Sequence, residues 1–206
     1  MKKIVLLFLF IFFAADSYLS AQSMRTLFVS MPDSIMPLLT KNNREDCIDF
    51  IDAGMQAVVT NRLDSKSELL QFTPNFLHLR TSKAGSMQLK ILPTADDTLV
   101  CVVNTICAEA CDSRIAFYTR KWQPLDSKKY FAPPIINDFF IPSDSVAELL
   151  DIADIYLVKI SLSANDNTLV AEYTMPQYML QGDSARVASN LRRLKYNWDG
   201  DRFVKE

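Results

Sequence analysis

Few side chains in this sequence are equipped for chemistry, and they are scattered. Cysteines stand at 47, 101, 107 and 111, and the single histidine is His78. Carboxylates gather at Asp96-Asp97 and at Asp199-Gly200-Asp201. Nucleophilic catalysis pairs Ser or Cys with a base, most often histidine, so His78 would have to be that base. It lies within NFLHLRT, residues 75 to 81, where Phe76 and His78 share one face of an expected strand and Leu77 and Leu79 the other. A lone histidine in that setting reads as structural. No G-x-S-x-G elbow and no H-E-x-x-H is present. With only four glycines (54, 85, 182 and 200), the chain lacks a phosphate-cradling loop.

Paired carboxylates flanking a cleft would suit glycoside hydrolysis, but both acidic clusters sit where the chain is expected to turn. Asp-Gly is a favoured hairpin turn between LKYNW and RFV. Neither cluster has the spacing of an EF-hand loop. Zinc wants three or four compact ligands, and His78 has no Cys or His beside it in sequence. The cysteines therefore read as disulfides or buried thiols. Four of them permit three complete pairings, and spacing does not choose among these. Cys107-Ala-Glu-Ala-Cys111 is short enough to staple a turn. No catalytic residue, metal ligand or cofactor is assigned.

The elements that carry these residues announce themselves by a repetition. Lys90 to Val100 aligns with Lys159 to Val170 if Asn167 is taken as an insertion, and seven of the eleven pairs are identical. Each copy is a β-rich run, a cluster of Ala, Asp and Asn, and a second β-rich run, the pattern of a hairpin. Glu172 marks a wet face in the second copy, so Leu169, Ala171 and Tyr173 should point inward. By correspondence Leu99, Cys101 and Val103 are inward in the first copy. Met31-Pro-Asp-Ser and Ile141-Pro-Ser-Asp-Ser each open an expected short helix with a capping residue. A strand carrying aromatic residues follows each hairpin, over 114–122 and 191–198. The first half also carries a helix over 45–57 and strands near 69–72, 76–80 and 87–92. The fold class is therefore α+β, antiparallel sheet or sheets with a few short helices, read as an internal duplication of a helix–hairpin–strand unit.

Residues 1–21 have the parts of a secretory signal peptide: Lys2-Lys3, an apolar run from Ile4 to Phe13, and a small residue, Ala21, before the expected cut. The run is shorter than the ~20 residues a membrane span needs, and no later segment is long and apolar enough. Residues 22–206 then form one α+β domain, with halves at about 22–127 and 141–206 joined by a strap at 128–140. The full chain carries a net charge of −2 with no basic cluster, which argues against nucleic acid. Four acidic–hydroxyl–apolar triplets, beginning at Asp33, Asp97, Asp144 and Asp183, look like an O-glycan acceptor signal of Bacteroidetes-type bacteria.

The strap, KKYFAPPIINDFFIP from 128 to 142, cannot be helical at its two adjacent prolines and is too apolar for a free linker. It reads either as a segment packed across both halves or as a surface for a partner. On the second reading Tyr130, Phe131, Phe139 and Phe140, with Trp122 and Trp198 beside them, are the candidate partner-binding residues.

The LSAQ ending of the leader, DTLVCVV followed by Cys107 and Cys111, and LKYNWDGDRFV near the end resemble an uncharacterised family of small exported Bacteroidales-type proteins. The resemblance covers nearly all of residues 22–206. It implies a Gram-negative periplasm or cell surface and carries over no catalytic residue. The favoured function is a non-enzymatic envelope or periplasmic module that binds an unknown protein or envelope component. The alternative is a hydrolase of an envelope or dietary polymer that uses His78 or a carboxylate pair. A third class, small-molecule carriage in a sheet-lined pocket, would need a large apolar cavity.

Overall fold

The computed structural model describes residues 23–206 apart from Asp154. The expected signal peptide at 1–21 lies outside the described residues. Two short helices come first, α1 (Met24–Ser30) and α2 (Lys41–Asp52). The Thr40 hydroxyl accepts the Asn43 N–H at 3.1 Å while the Asn43 side chain accepts the Thr40 N–H. This reciprocal cap starts α2 four residues before the expected Glu45. Gly54 ends it: with φ at +66° it lets Met55 N–H reach Phe50 O at 2.8 Å and Gly54 N–H reach Ile51 O at 3.0 Å.

A seven-stranded antiparallel meander follows in sequence order: β1 (Val58–Thr60), β2 (Lys66–Phe72), β3 (Phe76–Arg80), β4 (Gly85–Pro93), β5 (Thr98–Cys107), β6 (Cys111–Tyr118) and β7 (Pro124–Leu125). After α3 (Ser127–Tyr130) and the strap come α4 (Val146–Ile152), β8 (Val158–Leu162), β9 (Thr168–Tyr173), α5 (Gln181–Ala188), β10 (Leu194–Trp198) and β11 (Phe203–Lys205). These last four strands form a second antiparallel sheet, ordered β11-β10-β9-β8. The fold is α+β, as its alternating sequence patterns require.

The first sheet is buried on both faces. Leu77, Leu79, Leu89, Val100 and Val102 pack under α1 and α2, against Leu27, Phe28 and Ile48. Leu99, Cys101 and Val103 face the second sheet, where Leu169, Ala171 and Tyr173 meet them. Both inward sets fall where the alternation put them. The continuous apolar run of β5 reflects burial on two sides.

The two hairpins differ from the sequence alignment in one respect. Leu92 pairs with Leu99 and Leu162 with Leu169, and six residues separate the partners in each case. No inserted residue is therefore needed at Asn167. Lys90, opposite Cys101, takes the place held by Ile160, opposite Ala171. A one-residue shift turns a strand's side chains to the other face, so Lys90 is 1 % exposed while Lys159 is only half-buried. The duplication itself stays a reading of the sequence.

Two expected elements are corrected. Met31-Pro-Asp-Ser opens a single turn, in which Ile35 and Met36 donate to Pro32 O, and no helix. Pro37 supplies no N–H to extend it and disfavours helical backbone at Met36. The strand expected to reach Trp122 ends at Tyr118, because Trp122 adopts φ of +61° in a turn closed by Thr119 N–H to Gln123 O at 2.9 Å.

Strand β8 is an edge, yet it is closed. Its outward N–H groups at Val158, Ile160 and Leu162 donate to Asp112 Oδ1 (3.3 Å), Ser113 Oγ (2.9 Å) and Gln88 Oε1 (2.9 Å) of the first sheet. Side chains of one sheet thereby accept the outward N–H groups of the other in place of a neighbouring strand.

Candidate functional site

The strap packs against the inter-sheet core. Phe131, Phe139 and Phe140 are 3 %, 0 % and 1 % exposed, and Phe131 stands edge-on to Tyr196 with ring centroids 5.2 Å apart. These three rings, expected as contact residues, are almost wholly covered, and of the three only Phe131 borders the groove described next. Their hydrophobic area is better buried against β9, β10 and β11 than left in water. Tyr130 is half-buried between Phe117 (5.1 Å) and Trp198 (6.3 Å). Trp198 keeps partial exposure and donates its indole N–H to Pro93 O at 2.6 Å. Trp122 is not a neighbour of the strap at all. It is buried on the opposite face of the first sheet, where its indole N–H points to Ser30 Oγ of α1 at 3.4 Å.

What the strap leaves open is a groove beside β11, about 360 Å³ in volume. Its floor is Phe131, Ala132, Pro133 and Pro134, and its opposite wall is Tyr196 and Phe203 to Lys205. Lys128, Lys129, Arg202 and Lys205 rim it, all exposed, with Asp138 as the one carboxylate of the lining. Lys205 Nζ donates to Asp138 Oδ1 at 2.9 Å. That ammonium, helped by the Ile135 N–H, holds the Asp138 carboxyl below its ordinary range. Lys129 reaches Asp201 only at 4.0 Å. Lys128 and Arg202 have no ion pair among the described residues. Asp126 caps α3 by accepting the Lys128 N–H, and the Asp199 side chain accepts the Asp201 and Arg202 N–H groups in the β10–β11 turn. Two turns thus bring together cations that lie far apart in sequence.

A larger cleft, about 770 Å³, runs between α1 and α2. Each of its cations already has a carboxylate: Arg25 with Asp52, Lys41 with Glu45, and Arg44 with Asp33. Arg44 is 2 % exposed and donates to Met31 O and Leu39 O, both at 2.6 Å, so it fastens the segment between the helices. Every cation of that cleft is paired, whereas in the β11 groove Lys128 and Arg202 have no ion pair among the described residues.

His78 is half-buried beside Gln88 of β4, and burial, then the Lys159 charge, pushes it below its ordinary value. No carboxylate hydrogen-bonds to it among the described residues. Asp96-Asp97 and Asp199-Gly200-Asp201 form hairpin turns, with Thr94 N–H reaching Asp97 O and Asp199 N–H reaching Arg202 O. Among the described residues no group of three or more His, Cys, Asp or Glu side chains is placed to hold a metal ion. Cys107 and Cys111 are disulfide-bonded and face each other where β5 turns into β6. Cys47 and Cys101 are free and buried.

Fold and site together define an α+β protein of two antiparallel sheets with a cationic surface groove and no assembled catalytic constellation among the described residues. The chain belongs to the family described as "Protein of unknown function (DUF3256)", which matches residues 17–203. It is similar to a solved structure, a domain of an uncharacterized protein from Porphyromonas gingivalis W83. The two share 28 % identity and a TM-score of 0.76 over 89 % of this chain and 97 % of that one. No curated protein matches significantly. No helix among the described residues is long and apolar enough to cross a membrane.

Proposed function

We propose that this chain is a non-enzymatic binding module of the Gram-negative periplasm or cell surface, and that its contact surface is the β11 groove. The observation that carries the reading is the rim of four exposed cations, only one of them held by a carboxylate within hydrogen-bonding distance, over a rigid proline floor. A rigid floor loses little conformational entropy on contact, and unpaired cations favour an acidic partner. The leader-like residues 1–21 and a disulfide, which persists in oxidising compartments, support an extracytoplasmic setting.

The test is calorimetric titration of residues 22–206 with a polyglutamate peptide at low and at physiological salt. Binding should weaken as salt rises and should fall at least about tenfold in Lys128→Glu/Arg202→Glu. No heat at low salt, or equal binding by that variant, overturns the reading. Recovery of the natural protein from the cytoplasmic fraction with residues 1–21 intact overturns the location.

A further inference from the structure

The groove lies along a sheet edge, and that edge is open. Glu206 N–H donates to Lys195 O at 3.0 Å and Asp199 N–H to Arg202 O at 3.1 Å, with Val204 opposite Asn197 between them. In an antiparallel ladder hydrogen-bonded pairs alternate with non-bonded ones. Residues 202, 204 and 206 therefore face β10, and Phe203 and Lys205 turn their N–H and C=O groups away from it. No other strand lies beyond β11, and no backbone hydrogen bond joins it to the strap among the described residues. The other edges are defended. β8 is closed by Asp112, Ser113 and Gln88, and β7 is two residues long and begins with proline. The Thr60 carbonyl of β1 accepts from Asn43 Nδ2 at 3.3 Å.

We infer that the occupant of the groove is an extended acidic protein segment that adds as a fifth strand to β11, pairing with the backbone of Phe203 and Lys205. The inference rests on the binding reading above and specifies its mode. Main-chain pairing supplies attachment in strand addition, and side chains supply selectivity. Here Lys128, Lys129, Arg202 and Lys205 would select Asp and Glu on the incoming segment. Lys205 already meets a carboxylate, Asp138, across the groove, which shows the polarity an incoming side chain would find.

The probes are an eight-residue peptide alternating Glu and Val, and the same peptide N-methylated at every internal residue. The protein is residues 22–206 with its disulfide intact. The parent peptide should bind and should slow hydrogen exchange at the Phe203 and Lys205 amides. N-methylation keeps every charge and removes the pairing donors, so affinity should fall at least about tenfold. Lys205→Pro, which deletes an outward N–H, should bind less tightly than Lys205→Gln, which deletes only the charge. Equal binding by both peptides without amide protection overturns strand addition and leaves a cationic groove. Binding by neither peptide overturns the underlying reading as well. Should Lys205→Pro fail to fold, the two peptides on the parent protein still decide the matter.

Discussion

The Lys90 ammonium donates to the Ser163 carbonyl oxygen at 3.0 Å, across the seam between the two sheets. Lys90 is 1 % exposed, and its Nζ also lies 5.9 Å from the centre of the Phe76 ring. A charged group in that position binds one sheet to the other, at the cost of leaving water.

That cost has a pH signature. Burial pushes Lys90 below its ordinary value of 10.5, and Asp166 opposes the shift only in part. Between the folded-state value and 10.5 the unfolded chain binds more protons than the folded one, so stability rises with pH through that window. The penalty is present in full below the folded-state value. Lys90→Met removes the charge and one hydrogen bond together, so at pH 7 its stability should lie within about 1 kcal/mol of the parent. At pH 10 the difference should have moved in the parent's favour. Denaturant melts of both proteins at the two pH values check this, and an unchanged difference would refute it.

The strap is core by its burial, and truncation should say so. Phe139→Ala should cost about 3–5 kcal/mol, read by urea unfolding. Lys128→Ala, on the groove rim, should stay within about 0.5 kcal/mol of the parent. If Phe139→Ala proved as harmless as the lysine change, the ring would have to face outward.

Thiol chemistry separates the cysteines. Burial pushes the Cys47 thiol up to about 12 and Cys101 higher still, so neither should react with a thiol reagent in the native protein at pH 8. Denaturation without reductant should release two thiols, and with reductant four. Reduction of Cys107–Cys111 should destabilise by about 2 kcal/mol, since the closed loop is short. Four thiols without reductant would rule out the bridge.

Much of this architecture is local, and local patterns are legible. The alternation in Thr168–Tyr173 placed Leu169, Ala171 and Tyr173 inside, and Asp-Gly at 199–200 placed a turn, because strand period and turn chemistry act between near neighbours. The candidate site was less legible. The proline and aromatic composition of residues 128–142 drew attention to a segment that lines the β11 groove, but composition does not say which face is covered, and Phe131, Phe139 and Phe140 are buried. A capped first turn at Lys128 and the Asp199 turn before Arg202 were the available signals for the groove, but nothing in either says that the two turns meet.

What the amino-acid order determined by itself was most of the strands, though not the short β1 and β7, with the hairpin turns and the inward faces of β5 and β9, each fixed by steric and hydrophobic periodicity over a few residues. Only the tertiary structure decided that Lys90 takes the place of Ile160, that Trp122 goes under α1, and that β8 is sealed by Gln88, Asp112 and Ser113 while β11 is left open. These are contacts between segments distant along the chain, and they are selected by which whole arrangement buries the most apolar surface with its polar groups paired.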